Sequence, residues 1–168
     1  MFDSINSAYN ICKNDTNRFY SYIITAVMTL DINTLLRAID NENNEGVLQL
    51  TSTEIKRQKN DILQKLGVKG KTLADLHKKL KDYRYIEELE QLNYGSFVRW
   101  INISDPTEVY ITNGGHICDM VATDNSVKIT CKNVYNSFFN FDFNSCLVFQ
   151  KLSNQERVLL IAMDNLAN

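Results

Sequence analysis

The sequence predicts an α+β fold: a helical N-terminal half, then a small five-stranded antiparallel meander or SH3-like barrel, then a C-terminal helix. Three observations predict it. Met1–Leu92 carries apolar residues at helical spacing and contains no proline. From Tyr94 onward the apolar period changes to alternation, the spacing of strands. The only Trp, the only Pro and the only Gly-Gly pair all fall within Tyr94–Lys132, where turn residues separate short apolar runs. The chain therefore divides into residues 1–92, a helical region, and residues 93–168, a small β-barrel-like domain with a closing helix. Its 168 residues, 44% of them hydrophobic, are enough for one domain or two small ones with a real core.

In the first half, Phe2, Ile5, Tyr9 and Cys12 recur at helical spacing. Asn14 or Asp15 caps a second helix with Phe19, Ile23, Ala26 and Leu30 inward, and Asp31 caps a third carrying Leu35, Leu36 and Ile39. Asp40–Gly46 reads as a polar loop without apolar anchors. Thr51-Ser52-Thr53-Glu54 has the capping-box pattern, and Gly67 is placed to end the helix that follows. Thr72 starts the next helix, and Tyr85–Leu92 reads as a last short one.

In the second half, Ser96–Ile103 is apolar on both parities, so both of its faces should be covered. Arg99 interrupts one face and should lie at a barrel end or meet an acid. Ser104–Thr107 is a turn around Pro106. Glu108–Thr112 and His116–Thr123 read as a hairpin closed by Asn113-Gly114-Gly115. Val127, Ile129 and Cys131 alternate with Lys128, Thr130 and Lys132; Phe139, Phe141 and Phe143 alternate with Phe138, Asn140 and Asp142. Leu147–Lys151 is read as the last strand. Ser153-Asn154-Gln155-Glu156 is a second capping box, opening a helix with Leu159, Ala162, Met163 and Leu166 inward. That helix packs on the barrel or returns to the N-terminal helices.

Net charge is −2, which excludes a global charge that drives the chain onto nucleic acid or anionic lipid. The charge is nevertheless segregated. Ile55–Arg84 holds ten bases against three acids, a net of +7, and the rest holds eight against seventeen, a net of −9. Lys56, Arg57, Lys59, Lys69, Lys71, Lys78, Lys79 and Lys81 are the candidate phosphate contacts. No aromatic residue is interleaved from Ile55 to Asp82, which removes base stacking from that reading. Gly67–Thr72 ends like a phosphate-binding loop, but the first glycine of such a loop would fall at Lys65, so the pattern is rejected.

No catalytic constellation survives. His116 and Cys118 share a strand parity near Cys131, without the spacing of a zinc site or the base, orienting acid and oxyanion hole of a nucleophile. No metal or cofactor is expected, and the four cysteines read as reduced, small, buried residues. The longest near-apolar stretch, Phe19–Leu30, is too short to span a bilayer, and the N-terminus shows no secretory pattern. An intracellular protein is expected, not a secreted one. The better functional candidates are aromatic: Trp100, Tyr110, Tyr135 and Phe138, with Arg99, form a candidate partner-binding set.

Tyr83-Arg84-Tyr85-Ile86-Glu87-Glu88-Leu89, Tyr94–Ile101, Thr112-Asn113-Gly114-Gly115, Cys131-Lys132-Asn133 and Phe149-Gln150-Lys151-Leu152 carry a resemblance. From about Lys79 to the end, the chain resembles small uncharacterised proteins of nucleocytoplasmic large (giant) DNA viruses. Usage rich in Asn, Ile, Lys and Tyr agrees with an AT-rich source. The resemblance implies life in host cytoplasm, viral factory or virion, other viral proteins as partners, and a non-enzymatic role. The expected function is a viral structural or accessory subunit of a larger assembly; the alternative is a nucleic-acid-binding accessory factor using segment 55–84.

Overall fold

The computed structural model describes residues 32–105 and 109–167. The two helices expected before Leu30, the cap at Asp31, Cys12 and the turn at Pro106–Thr107 lie outside the described residues. The elements are α1 (Ile32–Ile39), α2 (Ser52–Lys65), α3 (Gly70–Lys79), β1 (Tyr83–Ile86), β2 (Phe97–Asn102), β3 (Gly115–Ala122), β4 (Val127–Lys132), β5 (Phe138–Asp142), β6 (Cys146–Lys151) and α4 (Asn154–Leu166). Short 3₁₀ turns lie at Glu42–Val47, Leu89–Gln91 and Phe143–Ser145. Among the described residues, no helix is long and apolar enough to cross a membrane.

The helix ends follow local chemistry, with two departures. Thr51 Oγ1 accepts from the Glu54 amide at 3.1 Å, but the Glu54 carboxylate turns to Arg57 instead of completing the box. At α4 the box is complete: Glu156 N–H donates to Ser153 Oγ (3.0 Å), and Ser153 N–H donates to Glu156 Oε2 (2.7 Å). α3 begins at Gly70, two residues before the expected Thr72 start, and Lys69 gives it no side-chain cap. The segment expected to be an unanchored loop is pinned. Asn44 is buried and donates to the Ala38 carbonyl at 2.8 Å, and Val47 is fully buried.

The strands of the described residues form one antiparallel, open sheet in the order β1-β6-β2-β3-β4-β5. It has six strands where five were expected, and it is not a closed barrel. Against the runs read as strands, it gains β1, at the start of the stretch read as a last helix (Tyr83 and Tyr85–Leu92), and has no strand over residues 109–112. Tyr-Arg-Tyr-Ile is aromatic and β-branched enough for a strand, and its pairing with Val148–Lys151 covers an edge of β6 that would otherwise be open. Only Leu89–Gln91 turns, as a single 3₁₀ turn.

β6 is flanked on both sides and buried on both faces: Leu147 and Phe149 point one way, Val148 and Gln150 the other. β2 is likewise covered on both faces, as its double-parity pattern predicts. Val98 and Trp100 join an inner cluster with Ile117, Ile129, Cys131, Phe141 and Val148. Phe97 and Ile101 join an outer cluster in which α2 and α3 contribute Leu63, Leu76 and Leu80. Full burial of side chains such as Phe149 and Ile101 stabilises by roughly 1.5–3 kcal/mol each. A third cluster, Val47, Ile55 and Leu160, ties α4 to the helices. So α4 returns to the N-terminal helices, although Leu166 is exposed instead of buried.

The hairpin expected around Gly114-Gly115 differs most. Residues 109–114 form no strand, and β2 pairs with β3 only at Phe97–His116 and Val98–Gly115. Thr112 alone continues the ladder, its amide donating to Trp100 O and its hydroxyl accepting from Trp100 N, both at 3.1 Å. Gly114 has φ +84°, and a Cβ there would lie 2.3 Å from the Val98 carbonyl oxygen. A register shift between Ile117 and Asp119 then places Cys118 at a bulge. Beyond it the parity flips, so Met120 packs inward and Val121 is exposed, the reverse of simple alternation.

Candidate functional site

Where β2 and β3 part, the sheet leaves an apolar groove of about 270 Å³. Its lining includes Phe97, Trp100, Thr112, Val134, Tyr135 and Phe139. The floor is made by the curl of the sheet. Trp100 on β2 stacks on Phe141 of β5, with ring centroids 4.2 Å apart and planes 14° apart, and leans on Phe139 at 5.3 Å. Two strands intervene between β2 and β5 in the sheet, so these contacts exist only because the sheet bends back on itself.

The wall is the β4–β5 turn. Asn133 Oδ1 accepts from the amides of Tyr135 (2.9 Å) and Ser137 (3.0 Å), and the Asn133 amide donates to Ser137 O at 3.0 Å. Asn136 takes the left-handed conformation, φ 62°, which Asn tolerates better than most residues. The result is a turn fixed by hydrogen bonds that holds Val134 76% and Tyr135 84% exposed. Turn tips are ordinarily polar; two large apolar side chains held in water at one tip are unusual.

Of the aromatic candidates, Trp100 and Tyr135 meet at this groove. Phe138 is exposed on the other face of β5, beneath the ammonium of Lys132 at 5.6 Å. Tyr110 is exposed in the segment before β3, outside the groove lining. The sheet has no barrel end for Arg99, and among the described residues Arg99 forms no ion pair with an acid. It points to the outer face, its guanidinium 5.5 Å from the Tyr83 ring centre, with a buried Nε that has no hydrogen-bond partner. Phe97, Val134 and Phe139 are groove residues not singled out in the sequence; Val134-Tyr135 inside a turn is the signal that marks the tip. A larger cavity of about 350 Å³ is lined by Ile62, Leu66, Ile103, Val109 and Leu147.

The thiols are poorly placed for chemistry. Cys131 is fully buried, and burial pushes its pKa up to about 12; Cys146 is pushed up to about 11 by burial and the nearby Asp142. Both stay protonated at neutral pH, whereas nucleophilic attack and metal binding need the thiolate. Cys118, expected to be buried, is exposed at the bulge. His116 donates from Nδ1 to the Gly95 carbonyl at 2.9 Å and meets the Phe97 ring edge-on. Among the described residues, no three His, Cys, Asp or Glu side chains are grouped to hold a metal ion.

The candidate phosphate contacts are divided. Lys59 is buried and donates to the carbonyls of Leu80 (2.7 Å) and Lys81 (3.3 Å), and burial lowers its pKa. Arg57 is held between Glu54 and Asp61. Lys56, Lys69, Lys71, Lys78, Lys79 and Lys81 are exposed. No protein-family model, curated protein or solved structure matches the chain.

Proposed function

We propose that this protein is a non-enzymatic interaction subunit that seats an apolar side chain of a protein partner in the β2/β4–β5 groove. The observation that carries this reading is the hydrogen-bonded turn holding Val134 and Tyr135 in water beside a preformed aromatic floor. The groove lining has no charged residue, so it offers burial and shape instead of acid, base or nucleophile. A rigid aromatic beside a pocket is what interface anchors use, because little side-chain entropy is lost on binding. The run β6-β2-β3-β4-β5, with a 3₁₀ turn joining β5 to β6, supports reading the sheet as an open relative of the SH3-like barrel, extended by β1. The setting, a virion or virus-encoded complex in host cytoplasm, rests on the sequence resemblance alone.

Selection of displayed peptides on the purified protein tests the reading. Selected peptides should share a large apolar anchor, and Val134→Ser with Tyr135→Ser should weaken their binding at least tenfold without changing the unfolding midpoint, since both side chains are exposed. Failure to enrich any anchor, or binding indifferent to the two substitutions, would overturn it.

A further inference from the structure

We propose that the lysine surface of α3 and the turn after it binds the phosphate backbone of a nucleic-acid duplex. The basic stretch Ile55–Arg84 does not act as one unit. Arg84 is buried against Glu156, Arg57 is neutralised by Glu54 and Asp61, and the Lys59 ammonium is spent on two carbonyls. Lys65 lies on the far flank of α2, lining the cavity beside Asn102 and Ile103. Lys69, at the opposite end of α3 from Lys78 and Lys79, lines a separate pocket with Gln64 and Leu73. What remains is Lys71, Lys78, Lys79 and Lys81, joined by Lys56.

These five share one region for geometric reasons. Lys71 and Lys78 are two helical turns apart, so they project from the same face of α3 about 10 Å from each other. Lys78 and Lys79 occupy the last turn, where the carbonyl end of the helix dipole favours cations, and Lys81 follows at once. The bonds from Lys59 to Leu80 and Lys81 hold α2 against this end. Lys56 lies one helical turn before Lys59 on α2, so anchoring Lys59 there carries Lys56 toward the same end. Two acids oppose the cluster. Asp75 lies between Lys71 and Lys79 on α3, and Asp82 pairs with Arg157 at 3.6 Å.

The class of ligand follows from what the face lacks. The exposed large apolar side chains among the described residues lie at 32–39, 94–110, 121, 134–138 and 161–166. None lies on α2 or α3. A protein interface is built around an apolar centre depleted in lysine, and this face has the opposite composition. Phosphates are bound by lysine charge alone, and with no aromatic side chain for base stacking a duplex suits it better than a single strand.

Fluorescence anisotropy with a labelled duplex of about 24 base pairs, titrated between about 25 and 200 mM salt, tests this. Neutralising about four phosphates predicts a log–log slope of roughly −3 to −4. The combined variant Lys71→Gln, Lys78→Gln, Lys79→Gln, Lys81→Gln should bind at least tenfold more weakly at the lowest salt and flatten the slope. Its circular dichroism and unfolding midpoint should stay unchanged, because all four side chains are exposed. Val134→Ser with Tyr135→Ser should leave duplex binding intact, which separates this surface from the groove. No binding at about 25 mM salt, undiminished binding by the combined variant, or equal binding to polyglutamate would each overturn the assignment; the last would give the face to an acidic protein.

Discussion

Glu156→Ala should be among the most damaging single substitutions in the described chain. The Glu156 and Arg84 side chains are 2% and 4% exposed, and Arg84 Nε donates to Glu156 Oε1 at 3.0 Å. The substitution strands a guanidinium in the interior between β1 and α4. Removing one partner of a buried pair costs about 3–5 kcal/mol. Glu156 also closes the α4 capping box through Ser153, and losing that adds about 1 kcal/mol. The Nη2 bond from Arg84 to the Gln91 carbonyl, 2.8 Å, survives and keeps the cost toward the lower end. A loss of about 4 kcal/mol is a large part of the roughly 5–15 kcal/mol available to a domain. Urea unfolding followed by Trp100 fluorescence should show it as a midpoint lower by about 2 M, taking a slope of about 2 kcal/mol/M. The double variant Arg84→Met, Glu156→Leu removes both charges and should be more stable than Glu156→Ala, because no unpaired ion remains. A loss under about 1 kcal/mol, or a double variant less stable than the single one, would refute the buried-charge argument.

Two other outcomes are expected. Gly114→Ala should cost about 2 kcal/mol or more in thermal or urea unfolding, since a Cβ there meets the Val98 carbonyl and φ is left-handed; Gly67→Ala, with open space around it, should cost only the conformational strain of about 1 kcal/mol, and equal losses at both sites would refute the steric argument. Stability should fall as pH rises above about 9. Unfolded thiols release protons near their ordinary value of 9.0, whereas Cys131 and Cys146 in the native state hold theirs to about 12 and about 11. Burial raises Tyr83 and Tyr85 as well, which deepens the fall at still higher pH. A urea midpoint flat from pH 8 to 10.5, or one that Cys131→Ala does not flatten, would count against it.

The groove was half legible. Trp100 and Tyr135 are conspicuous as aromatics, yet nothing in their spacing brings them together; the curl that stacks Trp100 on Phe141 does that. Arg99 is conspicuous as a charge on an otherwise apolar strand, and only the fold sets its guanidinium over the Tyr83 ring. The basic segment was legible as charge but not as surface. Lys59 and Arg84 read like their neighbours and are buried, because the Leu80 and Lys81 carbonyls and Glu156 await them in the fold.

The sequence by itself determined what depends on neighbours a few residues away. The α4 capping box, the Thr51 cap, the stop at Gly67, the half-buried alternation of β4 and the double-sided burial of β2 are all of that kind. Tertiary structure decided what depends on distant partners. Tyr83–Ile86 is a strand because β6 has an edge to fill, and Cys118 sits at a bulge because β3 must keep register with β4. The sheet is open because its edge strands, β1 and β5, each pair on one side only and not with each other. Arg84 and Glu156, 72 residues apart, are compatible only in the folded chain. Local pattern records which face a residue prefers; which surface that face meets is fixed only when the strands and helices pack.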